Sequence, residues 1–78
     1  MQVYRLKAVV EPDERGVHAW CPALKGCHTW GATVEEALDH LRDAASLYVK
    51  SLVAHGEPIP IGEQRQRSAA ERDLVLTV

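Results

Sequence analysis

The sequence predicts an α+β fold: a small antiparallel sheet laid down in the order β-β-β-α-β, with one long helix across one face. Three observations carry this. Apolar and polar residues alternate with period two over residues 2–10 and 17–21, the mark of half-buried strands. An apolar stripe of helical spacing runs from Val34 to Leu52 behind a Thr33 cap. The β-branched apolar run Leu74-Val75-Leu76-Thr77-Val78 follows a polar stretch at 62–73 and reads as a last strand.

In the first strand Tyr4, Leu6, Ala8 and Val10 point one way, while Arg5, Lys7 and Val9 point the other. Glu11-Pro12-Asp13-Glu14-Arg15-Gly16 reads as a turn, with Pro near its start and Gly at its end. Val17, Ala19 and Cys21 then alternate with His18 and Trp20, giving a hairpin whose loop is longer than the tightest type. Pro22 ends the second strand because it has no N–H for a ladder. Leu24 can tuck into the core as the chain reverses, and Gly26 stands where a positive φ is affordable. Cys27 to Trp30 forms the third strand, released by Gly31.

Thr33 starts the helix. Its hydroxyl is placed to accept from the Glu36 amide, and the Glu36 side chain to reach back to the Thr33 amide, a capping box. Val34, Ala37, Leu38, Leu41, Ala44, Ala45, Tyr48 and Leu52 make the apolar stripe. Glu35, Glu36 and Asp39 suit the positive end of the helix dipole, and Lys50 and His55 the negative end. Gly56 and Pro58 stop it. Ile59-Pro60-Ile61 is expected to be extended, and 62–73 to be a loop or a ragged helical turn.

Seventy-eight residues are read as one domain, 1–78, with a thin core. A thin core with neither a disulfide framework nor a metal site favours burial between subunits, so a homo-oligomer, dimer or tetramer, is expected. The formal charge is −2, with nine basic and eleven acidic residues well mixed. The densest basic group, Arg65, Arg67 and Arg72, is diluted by Glu63, Glu71 and Asp73. That excludes a surface built for direct contact with nucleic acid, which concentrates Lys and Arg. It suits a basic protein partner instead. No apolar run is long enough to span a membrane, and the N-terminus is no signal peptide. A cytoplasmic location follows, with Cys21 and Cys27 as unpaired thiols in a reducing compartment.

Pro22, Leu24, Gly26, Cys27, Gly31, Thr33, Glu35, Glu36 and Ala37 stand at spacings that resemble the HicB-like antitoxin family, as does Gly56-Glu-Pro58-Ile-Pro60 after the helix. The likeness covers residues 3–61 well and the last strand loosely. It implies a partial RNase H-like unit that binds and neutralises a HicA-like toxin, a compact RNase that cleaves mRNA. Members of the family often add a C-terminal DNA-binding domain; the resemblance here is to the N-terminal domain standing alone. The alternative it leaves is an orphan HicB-like protein, an oligomeric binding or scaffold module with no toxin.

Nuclease chemistry would need several carboxylates converging on a metal. Glu11, Asp13 and Glu14 share one solvent-facing turn, and the strand interiors carry apolar residues. No catalytic residue, metal site or cofactor is therefore expected. His18, Cys21, Cys27 and His28 form the one metal-like set, but the Cys spacing exceeds that of zinc sites. Alternation also puts the two histidines on the face opposite the thiols. Trp20 runs in phase with His18, and Trp30 with His28, so both indoles fall on the helix-free face. A second copy of the chain, a foreign partner or the 62–73 segment is the candidate cover for this face. The acidic turn Glu11, Asp13 and Glu14 is either a solvated turn or a steering patch for a basic toxin.

Overall fold

The computed structural model describes residues 2–60 and 71–78. Its elements are β1 (Val3–Asp13), β2 (Gly16–Trp20), β3 (His28–Gly31), α1 (Val34–Ala54) and β4 (Glu71–Thr77). The four strands form one antiparallel sheet in the order β3-β2-β1-β4. The architecture is the α+β arrangement expected. The first strand in sequence becomes an interior strand, and the last returns along its open side.

The hairpin is tighter than the sequence indicates. β1 runs on through Glu11 and Pro12 to pair Asp13 with Gly16, leaving Glu14 and Arg15 as the turn. Pro12 is tolerated because alternation along the ladder turns its nitrogen away from β2, so no bond between those strands is lost. The Asp13 side chain accepts from the Arg15 amide at 2.8 Å and fixes the turn.

Thr33 caps α1 from an extended conformation, its hydroxyl accepting from the Glu36 amide at 3.1 Å. The return bond differs from expectation. Glu36 Oε1 accepts from the amide of Ala32, not that of Thr33, at 3.1 Å. The staple thus reaches one residue further into the loop. At the other end His55 is the cap, and its Nδ1 lies 2.7 Å from the Ser51 carbonyl. The amides of Gly56 and Glu57 close onto Val53 and Leu52.

The core lies between α1 and one face of the sheet. Leu6, Ala8, Val10, Ala19, Cys21, Leu74 and Leu76 meet Ala37, Leu41, Ala45 and Val49, with Leu24 and Cys27 closing one end. Each of the large buried side chains contributes about 1.5–3 kcal/mol. The line of closest approach along the helix is Ala37, Leu41, Ala45 and Val49, at steps of four. Val49 is fully buried although the expected stripe omitted it, whereas Leu38, Tyr48 and Leu52 are partly buried flanks.

Gly31 explains how α1 comes so close to β3. A Cβ there would collide with the backbone of Glu36 and Ala37. Gly26, at φ +78°, makes the reversal between β2 and β3. That reversal is held by bonds from the Cys21 amide to the Cys27 carbonyl and from the Cys27 amide to the Leu24 carbonyl. Two boundaries move. β3 starts at His28, one residue later than expected, and β4 starts at Glu71, three residues before the apolar run. The expectations for Ile61 and for 62–70 lie outside the described residues.

Candidate functional site

The face of the sheet opposite α1 carries the distinctive chemistry. Cross-strand partners share a face, so the register fixes its rows. One row runs His28, Trp20, Val9 and Glu71; the next runs Trp30, His18 and Glu11. Four aromatic side chains therefore meet over β2 and β3, where β alternation brings residues far apart in sequence side by side.

His18 is the centre. Its ring stacks on Trp30 with centroids 4.4 Å apart and planes 16° apart, and it lies 4.8 Å from Trp20. His28 stands edge-on to both His18 and Trp30, at 5.4 and 5.3 Å. Val9 lies beneath this layer and is buried, although it belongs to the helix-free face. Both tryptophans are half-buried. Val75 is on the same face but far along the sheet from the indoles, paired with Arg5.

Polar groups ring the cluster. Trp30 Nε1–H donates to Asp13 Oδ2 at 2.9 Å, and the Arg15 guanidinium stands 6.0 Å from the Trp30 ring centre. The indole donor, joined by the Arg15 amide, holds the Asp13 carboxyl below its ordinary value. Glu11 and Asp13 sit on the end of β1 and Glu14 in the turn, all exposed. The acidic residues thus form a rim beside the aromatic layer, not a separate loop. Two polar atoms on this face, His18 Nε2 and Glu71 Oε1, are buried without a hydrogen-bond partner among the described residues. Glu71 sits in the Trp20 row and was not singled out by the sequence. Its cross-strand pairing to Val9 is what brings it in.

A cleft of about 340 Å³ opens where this face meets the 21–27 reversal, lined by His18, Trp20, Leu24, Lys25 and His28 among others. Cys21 and Cys27 border it but belong to the core, as free thiols. Burial pushes both thiols up, Cys27 to about 11. The histidines and the thiols are on opposite faces, as expected. Among the described residues, no three His, Cys, Asp or Glu side chains come together as metal ligands would. Likewise, no described helix is long and apolar enough to cross a membrane.

The motif residues border this face only at the 21–27 cleft, and each has a part in shaping the fold. Pro22, Leu24, Gly26 and Cys27 shape the reversal, and Gly31 admits the helix. Thr33 and Glu36 cap the helix, Glu35 sits exposed in its first turn, and Ala37 is buried against the sheet.

The chain is 43% identical over 60 residues to a UPF0150 protein of Synechocystis sp., covering 76% of each. Its fold is that of the N-terminal domain of the Burkholderia pseudomallei antitoxin HicB, with a TM-score of 0.66 at 21% identity, covering 95% of this chain and 96% of that one. A chain of the HicA3 and HicB3 toxin–antitoxin complex shares it at a TM-score of 0.57 and 19% identity, over 81% of this chain and 71% of that one. Residues 6–75 match the model of the HicB-like antitoxin of bacterial toxin–antitoxin systems. The chain belongs to the HicB-like antitoxin family.

Proposed function

We propose that this chain neutralises a HicA-type mRNA interferase by seating the toxin's catalytic surface on the helix-free face and occluding it. The observation that carries the reading is the stack of His18 between Trp20 and Trp30, flanked by the unpartnered His18 Nε2 and Glu71 Oε1. Half-buried tryptophans around a polar centre are the composition of interface hot spots. Buried polar atoms without partners are costly alone and favourable once a docked surface supplies donors and acceptors. The rim of Glu11, Asp13 and Glu14 would steer a basic toxin towards the cluster and speed encounter. Family membership and the fold shared with a chain of the HicA3 and HicB3 toxin–antitoxin complex support the partner class.

In this mechanism nothing covalent changes. A rigid sheet excludes substrate RNA, and the chain acts as a binder, not an enzyme, in the cytoplasm where such a toxin acts. The test is co-expression with the product of any small basic gene flanking this one. The reading expects a stable complex in which RNA cleavage by that neighbour is suppressed. Absence of binding by every flanking product would leave the orphan reading, a HicB-like scaffold without a toxin.

A further inference from the structure

We propose that the outer edge of β4 pairs antiparallel with β4 of a second copy of this chain, centred on Val75, joining two four-stranded sheets into one. This does not rest on the toxin reading.

The backbone sets the first condition. Gln2 and Val78 exchange both ladder bonds, at 2.7 and 2.8 Å. Bonding alternates along an antiparallel pair, so Arg72, Leu74 and Leu76 also turn their amides and carbonyls towards β1. Those of Glu71, Asp73, Val75 and Thr77 therefore point outward. The Glu71 carbonyl is covered by the Arg72 guanidinium at 2.9 Å. Asp73, Val75 and Thr77 have no outward backbone partner among the described residues.

The two sheet edges are treated differently. β3 is four residues long, and the carbonyl of its outward-facing Trp30 is taken by His40 Nδ1 at 2.7 Å. Since a carbonyl only accepts, the proton is on that nitrogen. Edges are commonly defended by charge, and β4 has such a defence over its first half. Glu71, Arg72 and Asp73 are charged, and Asp73 is paired with Lys7 at 2.9 Å. The second half, Leu74 to Val78, has no charged side chain. Val75 is 42% exposed there, and Val3, two-thirds exposed, is one strand away on the same face.

Charge and side-chain matching select the register. Outward residues must face outward residues. A pairing centred on Arg72 sets Glu71 against the other copy's Asp73, and one centred on Asp73 sets that carboxylate against itself; like charges directly opposite are destabilising. Centring on Leu74 places Asp73 against an apolar Val75. Centring on Val75 puts valine on valine and Asp73 against Thr77, with Leu74 facing Leu76 on the helix side. It also keeps Glu71 from facing any residue of the Leu74 to Val78 run and sets Arg72 against the apolar Val78, so no two like charges stand opposite. Such a contact is self-complementary, as a two-fold dimer requires.

The experiment is light scattering coupled to size exclusion at about 100 µM, above the micromolar end of the affinities that interfaces span, with circular dichroism to check folding. Wild type is expected as a dimer. Val75→Pro is expected as a folded monomer, since the outward Val75 amide takes no part in the β1 ladder. Val75→Lys, a change at an exposed side chain, must also be monomeric; it decides the matter if the proline variant is misfolded. Val75→Cys is expected to form a disulfide-linked dimer under mild oxidation, because directly opposed residues lie about 5.5 Å apart. Trp20→Ala should remain dimeric. A monomeric wild type, a folded Val75→Pro or Val75→Lys that stays dimeric, or loss of the dimer in Trp20→Ala would overturn the proposal.

Discussion

The indole of Trp30 donates to the carboxylate of Asp13 at 2.9 Å, tying edge strand β3 to the end of β1 across the width of β2. It joins residues seventeen apart in sequence. The same carboxylate fixes the hairpin through the Arg15 amide. One side chain therefore couples the turn to the aromatic layer, and the acidic rim to its shape.

This coupling has a pH signature. Asp13 is held below its ordinary value of 3.8, first by the Trp30 bond and then by the Arg15 amide. For a lowered carboxyl, the linked stabilisation is present above the unfolded value and disappears as pH falls through the folded one. Tryptophan emission should therefore stay constant down to about pH 4 and change below it. Asp13→Asn should remove that transition. An emission midpoint at or above 3.8 in the wild type would contradict the assignment.

Gly31→Ala and Gly26→Ala separate two uses of glycine. At position 31 a methyl meets the backbone of Glu36 and Ala37, which cannot give without moving the helix. The loss should be about 1–3 kcal/mol or more, as for forced overpacking. At position 26 there is open space, and only the φ of +78° opposes a side chain. That change should cost about 1 kcal/mol. Urea unfolding of the two variants gives the comparison, and an equal loss at both sites would refute the close approach of helix and strand.

These glycines show what the sequence carries plainly. A cap, a turn residue and a spacing are local, so Thr33, Gly26 and the helix could be read directly. Three features were not legible, each for a physical reason. Pro12 reads as a turn residue, and only the ladder geometry shows its nitrogen facing away from β2. Glu71 to Asp73 look like loop because their polarity answers to solvent and to Lys7, not to strand propensity. Val49 lies beside a stripe that Tyr48 and Leu52 already continue at three- and four-residue steps, and only the packing shows that the helix rides closest to the sheet on Ala37, Leu41, Ala45 and Val49. For the candidate site, phase placed the indoles on the helix-free face. The stacking of His18 and the arrival of Glu71 needed the register.

The thiols offer a test of the core. Burial raises both, Cys27 from 9.0 to about 11. Two units lower the thiolate fraction on the order of 100-fold at pH 8, and the thiolate is the reactive form. Ellman's reagent should react slowly with the native protein and promptly in urea. By linkage, a raised thiol contributes stability that is intact below the unfolded value and fades as pH rises from about 9 towards 11. Prompt labelling of two thiols in the native state would place them outside the core.

The face and the edge should be separable by mutation. Trp20→Ala and Trp30→Ala remove half-buried side chains from a layer that α1 does not touch, so helix content should survive. If the toxin seats there, each should weaken capture by about 2 kcal/mol or more, the scale of an interface hot spot. Val75 lies on β4, beyond β1 from the indole strands, so Val75→Lys should leave capture of the neighbour intact while abolishing self-pairing. Calorimetric titration of each variant with the purified neighbour reads the first effect, and light scattering the second. Loss of both activities from either substitution would mean that one surface serves both. The two proposals would then collapse into a single interface centred on whichever residue was changed.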